Sequence, residues 1–324
     1  MTAWLRAGGC LVVAGMLVCG VAIAQAGYPA RAIRLVVPFP PGAGTDAIAR
    51  MVAQKLGDRL GRPVVVENRT GAGGAIGAIE VAHAPPDGYT LLLVASPFTT
   101  VPVATRSAGY DPVRDFTPVA ALAAGPLAFV VGTAVPVGSL RDFIDLARRE
   151  PGKLNYGSAG NGSVNHLALA LFNARTGVNV VHVPYRGIAD ATVDLMAGRI
   201  QAMTASISAT LPQMQAGKLR VLAVTGKTRI ALLPDVPAWG EQGVADAEVI
   251  NYWGIVAPQG TPPEVVGRLN REVGSALADP AVAERLAHEG AKVLGGPPQL
   301  LGRLIADDFN RWKALATDAH LRFD

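Results

Sequence analysis

Short apolar runs alternate with longer amphipathic stretches along most of this chain. Ile33–Val37 and Tyr89–Ala95 are runs of mainly β-branched and aliphatic residues, which is typical of buried strands. Between them, Asp46–Leu60 repeats apolar residues at helical spacing. Strands that alternate with helices in this way are typical of parallel sheets with helices on both faces. The pattern therefore predicts an α/β fold built from mostly parallel sheets.

The segment Pro38–Asp46, after the first predicted strand, has the composition of a ligand-binding loop. Pro38 cannot continue a strand ladder, so the strand should end before it. Gly42–Gly44 then lets a ligand approach the backbone closely, and Thr45 and Asp46 are residue types that favour the start of a helix. The free N–H groups and positive end of that helix would point into the loop. Such a place binds anions.

Several interpretations of this loop stay open on local grounds. Gly42–Ala47 with Glu67 on the next strand nearly matches a dinucleotide-binding fingerprint, but Pro40–Pro41 makes the turn longer and stiffer than that motif needs. A phosphate-binding P-loop is excluded because no Gly-Lys-Ser/Thr follows. The loop is otherwise a bare helix N-terminus that receives a carboxylate, or a purely structural turn.

The same device of strand, small-residue loop and helix start recurs along the chain. Thr70–Ala75 and Ser96–Thr100 each follow a predicted strand in the first half. Because the carboxyl ends of parallel strands share one edge of a sheet, these loops should gather beside the first loop. The second half repeats the device at Gly157–Ser163, before a helix that begins near Val164, and at Pro184–Gly187. There, Ser139 should cap a helix over Leu140–Arg149.

Two apolar strands have the pattern expected of chain crossings between domains. Pro126–Val131 and Tyr252–Pro258 are each followed within about ten residues by Pro or Gly and a helix start. A chain of 324 residues also exceeds a comfortable single core. The sequence therefore predicts two domains, with the helices after Pro258 packed on the first.

Residues 1–24 have the composition of a cleaved export signal. Arg6 is the only charged residue there, an apolar run follows, and Ala22-Ile23-Ala24 fits a small-x-small cleavage site. Both cysteines, Cys10 and Cys19, lie in this segment, so no disulfide or thiol chemistry is expected in the mature chain. A lipid anchor on Cys19 is the less favoured alternative.

Charge excludes one class of partner. The formal net charge is +4 and falls to +3 without Arg6, and no Lys/Arg cluster is interleaved with aromatic residues, so nucleic acid is not an expected partner. No His, Cys, Asp or Glu cluster has the spacing of a metal site, so neither a metal nor a cofactor is expected.

Ser158 is the one residue whose surroundings suggest covalent catalysis. Tyr156–Gly160 resembles the GxSxG nucleophile elbow, although its first Gly is replaced by Tyr. Asp190, His182 or His288 would have to complete a triad, and this is a minor alternative. His166 falls in the first turn of its helix, where a packing or capping role is favoured over that of a base. Arg186 follows a strand and could face a carboxylate or be an ordinary exposed turn residue, and Tyr185 could close over a ligand or simply pack.

The order of several motifs resembles one family. VPFPPGAGTD, VVVENRTGAGGAIGA, PPDGYTLLL, LNYGSAGNGSVNHL, VPYRG, AGKLRVLAVTGKTR and LPDVP are similar in sequence and order to segments of the tripartite tricarboxylate transporter substrate-binding proteins, the Bug or TctC family. The resemblance covers essentially all of the mature chain. It implies a type II periplasmic-binding-protein clam-shell, with domain I at 28–125 plus 251–324 and domain II at 126–250.

The resemblance also implies the activity and its partners. It implies a periplasmic receptor, not an enzyme, that captures a small carboxylate between its domains and delivers it to membrane permease subunits, acting as a monomer. In the family, backbone groups, hydroxyls and ordered waters hold the carboxylate. The ligand-binding residues expected here are Phe39, Pro41, Gly42, Ala43, Gly44, Thr45, Asp46, Ser96, Ser158, Ala159, Gly160, Ser163, Tyr185, Arg186 and Ser206.

Two departures from the family pattern bear on the ligand. Ala43 stands where the family often has a second Gly, which adds one methyl group to the loop. Thr204 and Ala205 stand where many members have Phe and Asp. An ammonium group buried without an acidic partner is costly, so a carboxylate without an amine is expected.

Three other functions remain as alternatives. A sensor that presents its ligand to a membrane signalling partner would have the same clam-shell. A secreted serine hydrolase would use Ser158, and a dehydrogenase would use the Gly42–Gly44 loop.

Overall fold

The protein forms two β-sheets with helices packed on them. The computed structural model describes residues 27–42, 44–105, 108–245 and 247–318, and the predicted export signal lies outside them. The strands are β1 (Ile33–Val37), β2 (Val64–Asn68), β3 (Thr90–Ala95), β4 (Phe116–Pro126), β5 (Ala128–Gly132), β6 (Asn155–Ser158), β7 (Val181–Pro184), β8 (Ala202–Ala205), β9 (Leu219–Val224), β10 (Ile250–Pro258) and β11 (Lys292–Val293).

The helices fill the connections between these strands. They are α1 (Gly44–Leu60), α2 (Ala75–Ala82), α3 (Pro97–Ala104), α4 (Leu140–Arg149), α5 (Val164–Thr176), α6 (Ile188–Met196), α7 (Ile207–Gln215), α8 (Pro263–Leu277), α9 (Pro280–His288) and α10 (Pro298–Asp318), with short 3-10 turns at Ala72–Gly74 and Trp239–Gln242. Among the described residues, no helix is both long and apolar enough to cross a bilayer.

The first sheet has the strand order β11-β4-β10-β3-β1-β2, and the second has β7-β6-β8-β5-β9. In the first sheet β1 runs parallel to β2 and β3, and in the second β6 runs parallel to β7 and β8. The loops that follow these parallel strands therefore share one edge of each sheet, as the sequence predicted. The other pairings are antiparallel, which makes both sheets mixed.

Each sheet buries its own apolar clusters. On the first sheet, Leu35, Leu56 and Leu269 from β1, α1 and α8 pack in one cluster. On the second sheet, Phe129 of β5 and Phe172 of α5 pack with their rings tilted by 42° within another cluster. Burial of these side chains supplies the main favourable free energy of folding, at roughly 1.5–3 kcal/mol for each large side chain.

The chain crosses from one sheet to the other at Leu127 and returns before Ile250. The predicted outgoing strand over Pro126–Val131 is in fact the junction of two strands, because β4 ends at Pro126 and β5 begins at Ala128. Thr225 joins the two crossings: its hydroxyl accepts from Leu127 N at 2.8 Å and donates to Val249 O at 2.6 Å. This buried residue fixes the spacing of the crossings.

The last helix contacts both sheets, which differs from the prediction that it packs on the first domain. Leu301 and Ile305 in its first half are buried with residues of the first sheet. Trp312 and Leu315 in its second half are buried with Phe129 and the rest of the second-sheet cluster. Helix α10 therefore lies across the junction of the two sheets.

Candidate functional site

Asp46 braces the loop between β1 and α1. Its carboxylate accepts from Gly42 N at 3.0 Å, from Arg50 Nε at 2.9 Å and from Asn68 Nδ2 at 2.8 Å. Burial alone would raise the pKa of Asp46, but the hydrogen bonds from Arg50, Asn68 and Gly42 outweigh it and lower the pKa to about 2. An ionised carboxylate that is satisfied inside the loop fixes the loop's shape. Phe39 belongs to the same hydrogen-bond network, since its carbonyl accepts from Asn68 Nδ2 at 2.9 Å.

The first turn of α1 faces other parts of the first sheet. Thr45 Oγ1 accepts from Trp253 Nε1 at 3.2 Å, so its own hydrogen is left to donate elsewhere. Gly44 opens the helix, and a Cβ atom there would lie 3.0 Å from Glu289 Oε1. Pro41 and Gly42 are exposed on the loop, whereas Ala43 lies outside the described residues.

Ser96 lies beneath this loop cluster, at the end of β3. It is buried, and its hydroxyl donates to Asn251 Oδ1 at 2.8 Å, beside the return crossing into β10. The residues after it form α3, where the sequence analysis expected a hydroxyl-rich loop. Ser96 therefore connects β3 to β10 in this structure.

The loop between β6 and α5 is held by its own hydroxyl groups. Ser163 caps α5 by accepting from His166 N at 3.3 Å and donates to Gly160 O at 2.8 Å. Ser158 Oγ accepts from Gly160 N at 3.0 Å. Ala159 and Gly160 are partly exposed between these two serines. The loop thus has a fixed backbone whose N–H groups lie at the start of α5.

Two stacked histidines support this loop from below. Ser158 Oγ lies 2.6 Å from His182 Nε2, and the rings of His182 and His166 stack with centroids 3.8 Å apart. His166 Nδ1 accepts from Gly162 N at 3.1 Å, which confirms the packing and capping role predicted for it. Burial lowers the pKa of each histidine to about 4, and the neighbouring His182 contributes to the shift of His166. Both rings are therefore neutral at pH 7.

Tyr185 and Arg186 lie between β7 and α6 and differ in their surroundings. Tyr185 OH donates to Asp194 Oδ2 at 2.8 Å, and burial together with this carboxylate raises the pKa of Tyr185 to about 12. Arg186 is exposed and forms no hydrogen bond or ion pair with any residue that the structure describes.

The start of α7 brings the second sheet against the first. Ser206 Oγ lies 3.4 Å from Ser208 Oγ, and Ser208 in turn donates a short hydrogen bond to Glu289 Oε2. Glu289 follows α9, which packs on the first-sheet side, and its side chain is only 3% exposed. We call Gly44, Thr45, Ser206, Ser208 and Glu289 the junction cluster.

Sequence reasoning missed Ser208 and Glu289. Ser208 lies in the first turn of α7, to which the sequence analysis assigned no role, and Glu289 has the appearance of an ordinary charge at a helix end. The hydroxyl-rich stretch Ser206–Thr210 was the available signal for the first. Nothing local to Glu289 marks it, because its burial depends on contacts with α1 and α7.

A second close contact joins α3 to the loop before α5. Gly162, before α5, lies so close to Ala104 at the end of α3 that a Cβ atom on it would come within 1.9 Å of the Ala104 Cβ. Its φ of +72° also favours glycine. The loop before α5 thus contacts the end of α3, as Ser208 of α7 contacts Glu289 beside the start of α1.

The geometry does not complete either enzyme alternative. Ser158 is hydrogen-bonded to His182, but it is fully buried and, within the described part of the chain, no carboxylate is bonded to His182. Glu67, the acidic residue of the possible dinucleotide fingerprint, pairs with Arg34 at 2.9 Å. A search of the described ranges gives no group of three or more His, Cys, Asp or Glu residues that could hold a metal ion.

The protein has two mixed β-sheets flanked by helices, and the chain passes twice between them. This is the architecture of two-domain solute-binding proteins. A sequence model of the tripartite tricarboxylate transporter family receptor, TctC, matches residues 48–321. The chain belongs to this family, as the motif order predicted. The family and its structural neighbours are solute-binding proteins of the periplasm, not enzymes.

Individual relatives agree in sequence and shape. The chain is 37% identical to the protein BugT of Bordetella pertussis over 318 residues, which cover 94% of this chain and 96% of BugT. It is similar to Rpa4515 of R. palustris, solved with adipate, with 38% identity and a TM-score of 0.81 over 91% of this chain and 99% of that one. MatC from Rhodopseudomonas palustris, solved with malate, has 32% identity and a TM-score of 0.78 over 89% and 99% of the two chains.

Proposed function

We propose that this protein is a periplasmic receptor that binds a small carboxylate between its two sheets and delivers it to a tripartite tricarboxylate-type permease. The observation that carries the proposal is that the starts of α1, α5 and α7 lie at contacts between the two halves of the fold: Glu289 lies against Gly44 of α1 and accepts from Ser208 of α7, and Gly162 before α5 packs on Ala104 of α3. Relatives solved with adipate and malate support the same ligand class.

Helix starts and hydroxyl groups can hold an anion without a paired cation. Each helix N-terminus stabilises an anion by roughly 0.3–1 kcal/mol at a surface and up to about 2 kcal/mol when partly buried. Hydrogen bonds from hydroxyl groups to a charged ligand add about 1.5–3 kcal/mol each. Three helix starts and two such bonds together approach the roughly 8 kcal/mol that micromolar binding needs.

The proposed division into domains follows the two sheets. Domain I comprises about 28–125 plus 251–324 and domain II about 126–250, with the pair of crossings tied by Thr225 as the hinge. Helix α10 is counted with domain I in this division, although it also packs on the second sheet. Movement about the crossings would open the cleft and then close it over the ligand, which removes water from the bound carboxylate.

Export and assembly complete the proposal. Residues 1–24 serve as a cleaved export signal, and the mature protein acts as a monomer that presents its closed, liganded form to the permease. The ligand contacts proposed for it are those expected from the sequence, with the buried Asp46, Ser96 and Ser158 contributing through the loop shape rather than by direct contact.

Thr45 offers a direct test with a matched control. Because Thr45 Oγ1 already accepts from Trp253, its hydrogen is available to a ligand oxygen, and Thr45→Val should weaken carboxylate binding by about 1–3 kcal/mol. Thr45→Ser keeps the hydroxyl group and should bind like the wild type. Titration calorimetry with a panel of carboxylates, on protein refolded to remove co-purified ligand, measures the difference.

The outcome that contradicts the proposal is equally concrete. If no acid of the panel gives heat or a thermal shift with wild-type protein, carboxylate capture is wrong. If acids bind but Thr45→Val binds them as well as Thr45→Ser does, the α1 end of the site is misplaced. Hydrolysis of a nitrophenyl ester that disappears in Ser158→Ala would favour the hydrolase alternative instead.

A further inference from the structure

Trp253 lies on β10, a central strand of the first sheet, and reaches the first turn of α1. Its indole Nε1 donates to Thr45 Oγ1 at 3.2 Å, although the two residues are 208 positions apart in the chain. The ring is 4% exposed and packs in the apolar cluster of the first sheet. The sequence analysis gave Trp253 no part in ligand binding, so its contact with a proposed ligand residue follows from the fold alone.

The backbone that carries Trp253 is held on both sides. Strand β10 pairs with β3, where Trp253 lies opposite Ala95, and with β4 on its other side. The register with β4 shifts between Trp253 and Gly254. Such irregularities redirect side chains and are common beside functional sites. Nearby, Asn251 Oδ1 accepts from Ser96 Oγ at 2.8 Å, which fixes the start of the same strand.

The bond from Trp253 determines what the hydroxyl group of Thr45 can offer. A hydroxyl group has one hydrogen to donate and two lone pairs, whereas an indole N–H can only donate. One lone pair of Thr45 Oγ1 is therefore occupied by Trp253, and the hydroxyl hydrogen must point elsewhere. Among the described residues, no protein acceptor is bonded to that hydrogen. Thr45 is also partly exposed, so its hydrogen can donate to a bound molecule.

The same bond restricts the freedom of Thr45 before any ligand binds. A threonine side chain has three staggered positions, and at a helix start its hydroxyl group also competes for backbone groups of the first turn. The donor from Trp253 favours one of these arrangements. Because a group that is already ordered loses less entropy on binding, such pre-organisation raises affinity without a new contact to the ligand.

We propose that Trp253 is a positioning residue of the carboxylate site, which holds the hydroxyl group of Thr45 with its hydrogen directed at an oxygen of the bound acid. This inference rests on the proposed carboxylate-binding function and deepens it. Trp253 acts through Thr45 and does not itself contact the ligand. The arrangement also defines the group that lies beside Thr45: an oxygen with a lone pair can accept from the hydroxyl group, whereas an ammonium group cannot.

Trp253→Phe removes the indole N–H and keeps an aromatic ring in the core. The probes are malate, adipate, succinate and benzoate, and the acid that binds wild type most tightly is used throughout. Calorimetry should show that Trp253→Phe binds it about three- to tenfold more weakly, as expected for one hydrogen bond. Trp239→Phe is the matched control and should bind like wild type, because Trp239 Nε1 is buried without a hydrogen-bond partner among the described residues.

A double-mutant cycle separates positioning from general support of the fold. In Thr45→Val no hydroxyl group remains to be positioned, so the addition of Trp253→Phe should weaken binding no further. A purely structural role of the ring would weaken binding by the same factor with and without the Thr45 hydroxyl group, and that result would overturn the proposal. A thermal melt of each variant checks that it is folded.

Tryptophan emission provides a second route if Trp253→Phe does not fold. Trp4 lies in the predicted export signal, so Trp239, Trp253 and Trp312 remain in the mature chain. Saturation with the acid should change the emission of wild type and of Trp239→Phe, but not that of Thr45→Val, because the hydroxyl group links the ligand to the indole.

An equal change in the emission of Thr45→Val would overturn the role of Trp253 and leave carboxylate binding intact. If none of the four acids binds to the wild type, the proposed function is wrong, and this inference is wrong with it.

Discussion

His166 and His182 lie ring on ring beneath the loop that precedes α5, and they show how single residues shape this site. Their stacking and the contact of His182 with Ser158 place two neutral imidazoles behind the loop, where His166 Nδ1 accepts from Gly162 N. Protonation of His166 at Nδ1 would remove the acceptor of Gly162 N. The loop that is expected to receive an anion thus depends on two uncharged bases behind it.

The titration of this pair predicts an acid-sensitive stability. In the unfolded chain a histidine titrates near pH 6.5, whereas burial lowers the pKa of both folded histidines to about 4. Between these values the unfolded chain binds more protons, so the free energy of unfolding should fall as the pH falls from about 6.5 to 4. Urea denaturation at a series of pH values measures this slope.

A substitution separates the pair from other sources of acid sensitivity. His182→Gln removes one titrating group and can still donate to Ser158, so its stability should depend less on pH in that range. His288→Gln changes an exposed histidine and should keep the wild-type slope. If the free energy of unfolding depends on pH equally in all three proteins, the stacked pair does not control the loss of stability in acid.

The secondary structure matches the prediction where the local sequence signals are strong, as at the start of α4. Ser139 caps α4 in a capping box, in which its hydroxyl accepts from Asp142 N at 3.1 Å and the Asp142 carboxylate accepts from Ser139 N at 2.9 Å. The observed helix has the bounds that the sequence predicted, Leu140–Arg149. Such a cap satisfies backbone donors that would otherwise be unpaired.

Removal of this cap should have a local and measurable cost. Ser139→Ala leaves the N–H of Asp142 without its acceptor, and the free energy of unfolding should fall by about 1 kcal/mol. Ser275→Ala, at an exposed position within α8, should be neutral or slightly stabilising because alanine is the better helix former. If both variants lose the same stability, the cap does not contribute what its geometry implies.

The sequence analysis missed strands and helices whose local sequence pattern conflicts with their tertiary packing. The sequence analysis passed over most of β4, because Ala120–Gly125 is rich in small residues and lacks alternation, yet neighbours on both sides make it a central strand. Helix α3 was hidden by Pro97 and Pro102, of which the first suits a helix start. Glu289 was missed for a similar reason: its partners come from α1 and α7, far away in sequence.

The whole molecule is held by an element that belongs to neither sheet alone. Helix α10 buries Ile305 against the first sheet and Trp312 against the second. Between them, Asp308 accepts from Thr99 at 2.6 Å, and Arg311 donates to the carbonyl of Glu248 before the return crossing. The helix therefore holds the return crossing in place as well as covering the core.

Truncation of Trp312 should destabilise both halves together. The side chain is 1% exposed, so Trp312→Ala should cost about 3–5 kcal/mol through lost burial and the cavity left behind. Phe309→Ala, which removes a half-buried aromatic ring from the same helix, should cost clearly less. If α10 stabilises both sheets, the unfolding transitions of Trp312→Ala followed by fluorescence and by circular dichroism should still coincide. A second transition would show that it serves only one.

The arrangement of strands also governs when the protein can fold as it is made. The first sheet joins β1–β3 from the beginning of the chain with β10 and β11 from its end, and the second-sheet core is finished only by Trp312. A nascent chain that has emerged as far as residue 240 therefore has every strand of the second sheet and one of its two apolar clusters, but it lacks Trp312 from the other cluster and β10 and β11 from the first sheet. We expect such a chain to stay loosely structured until its last helix appears. That delay would favour passage through a membrane channel that admits only unfolded polypeptide.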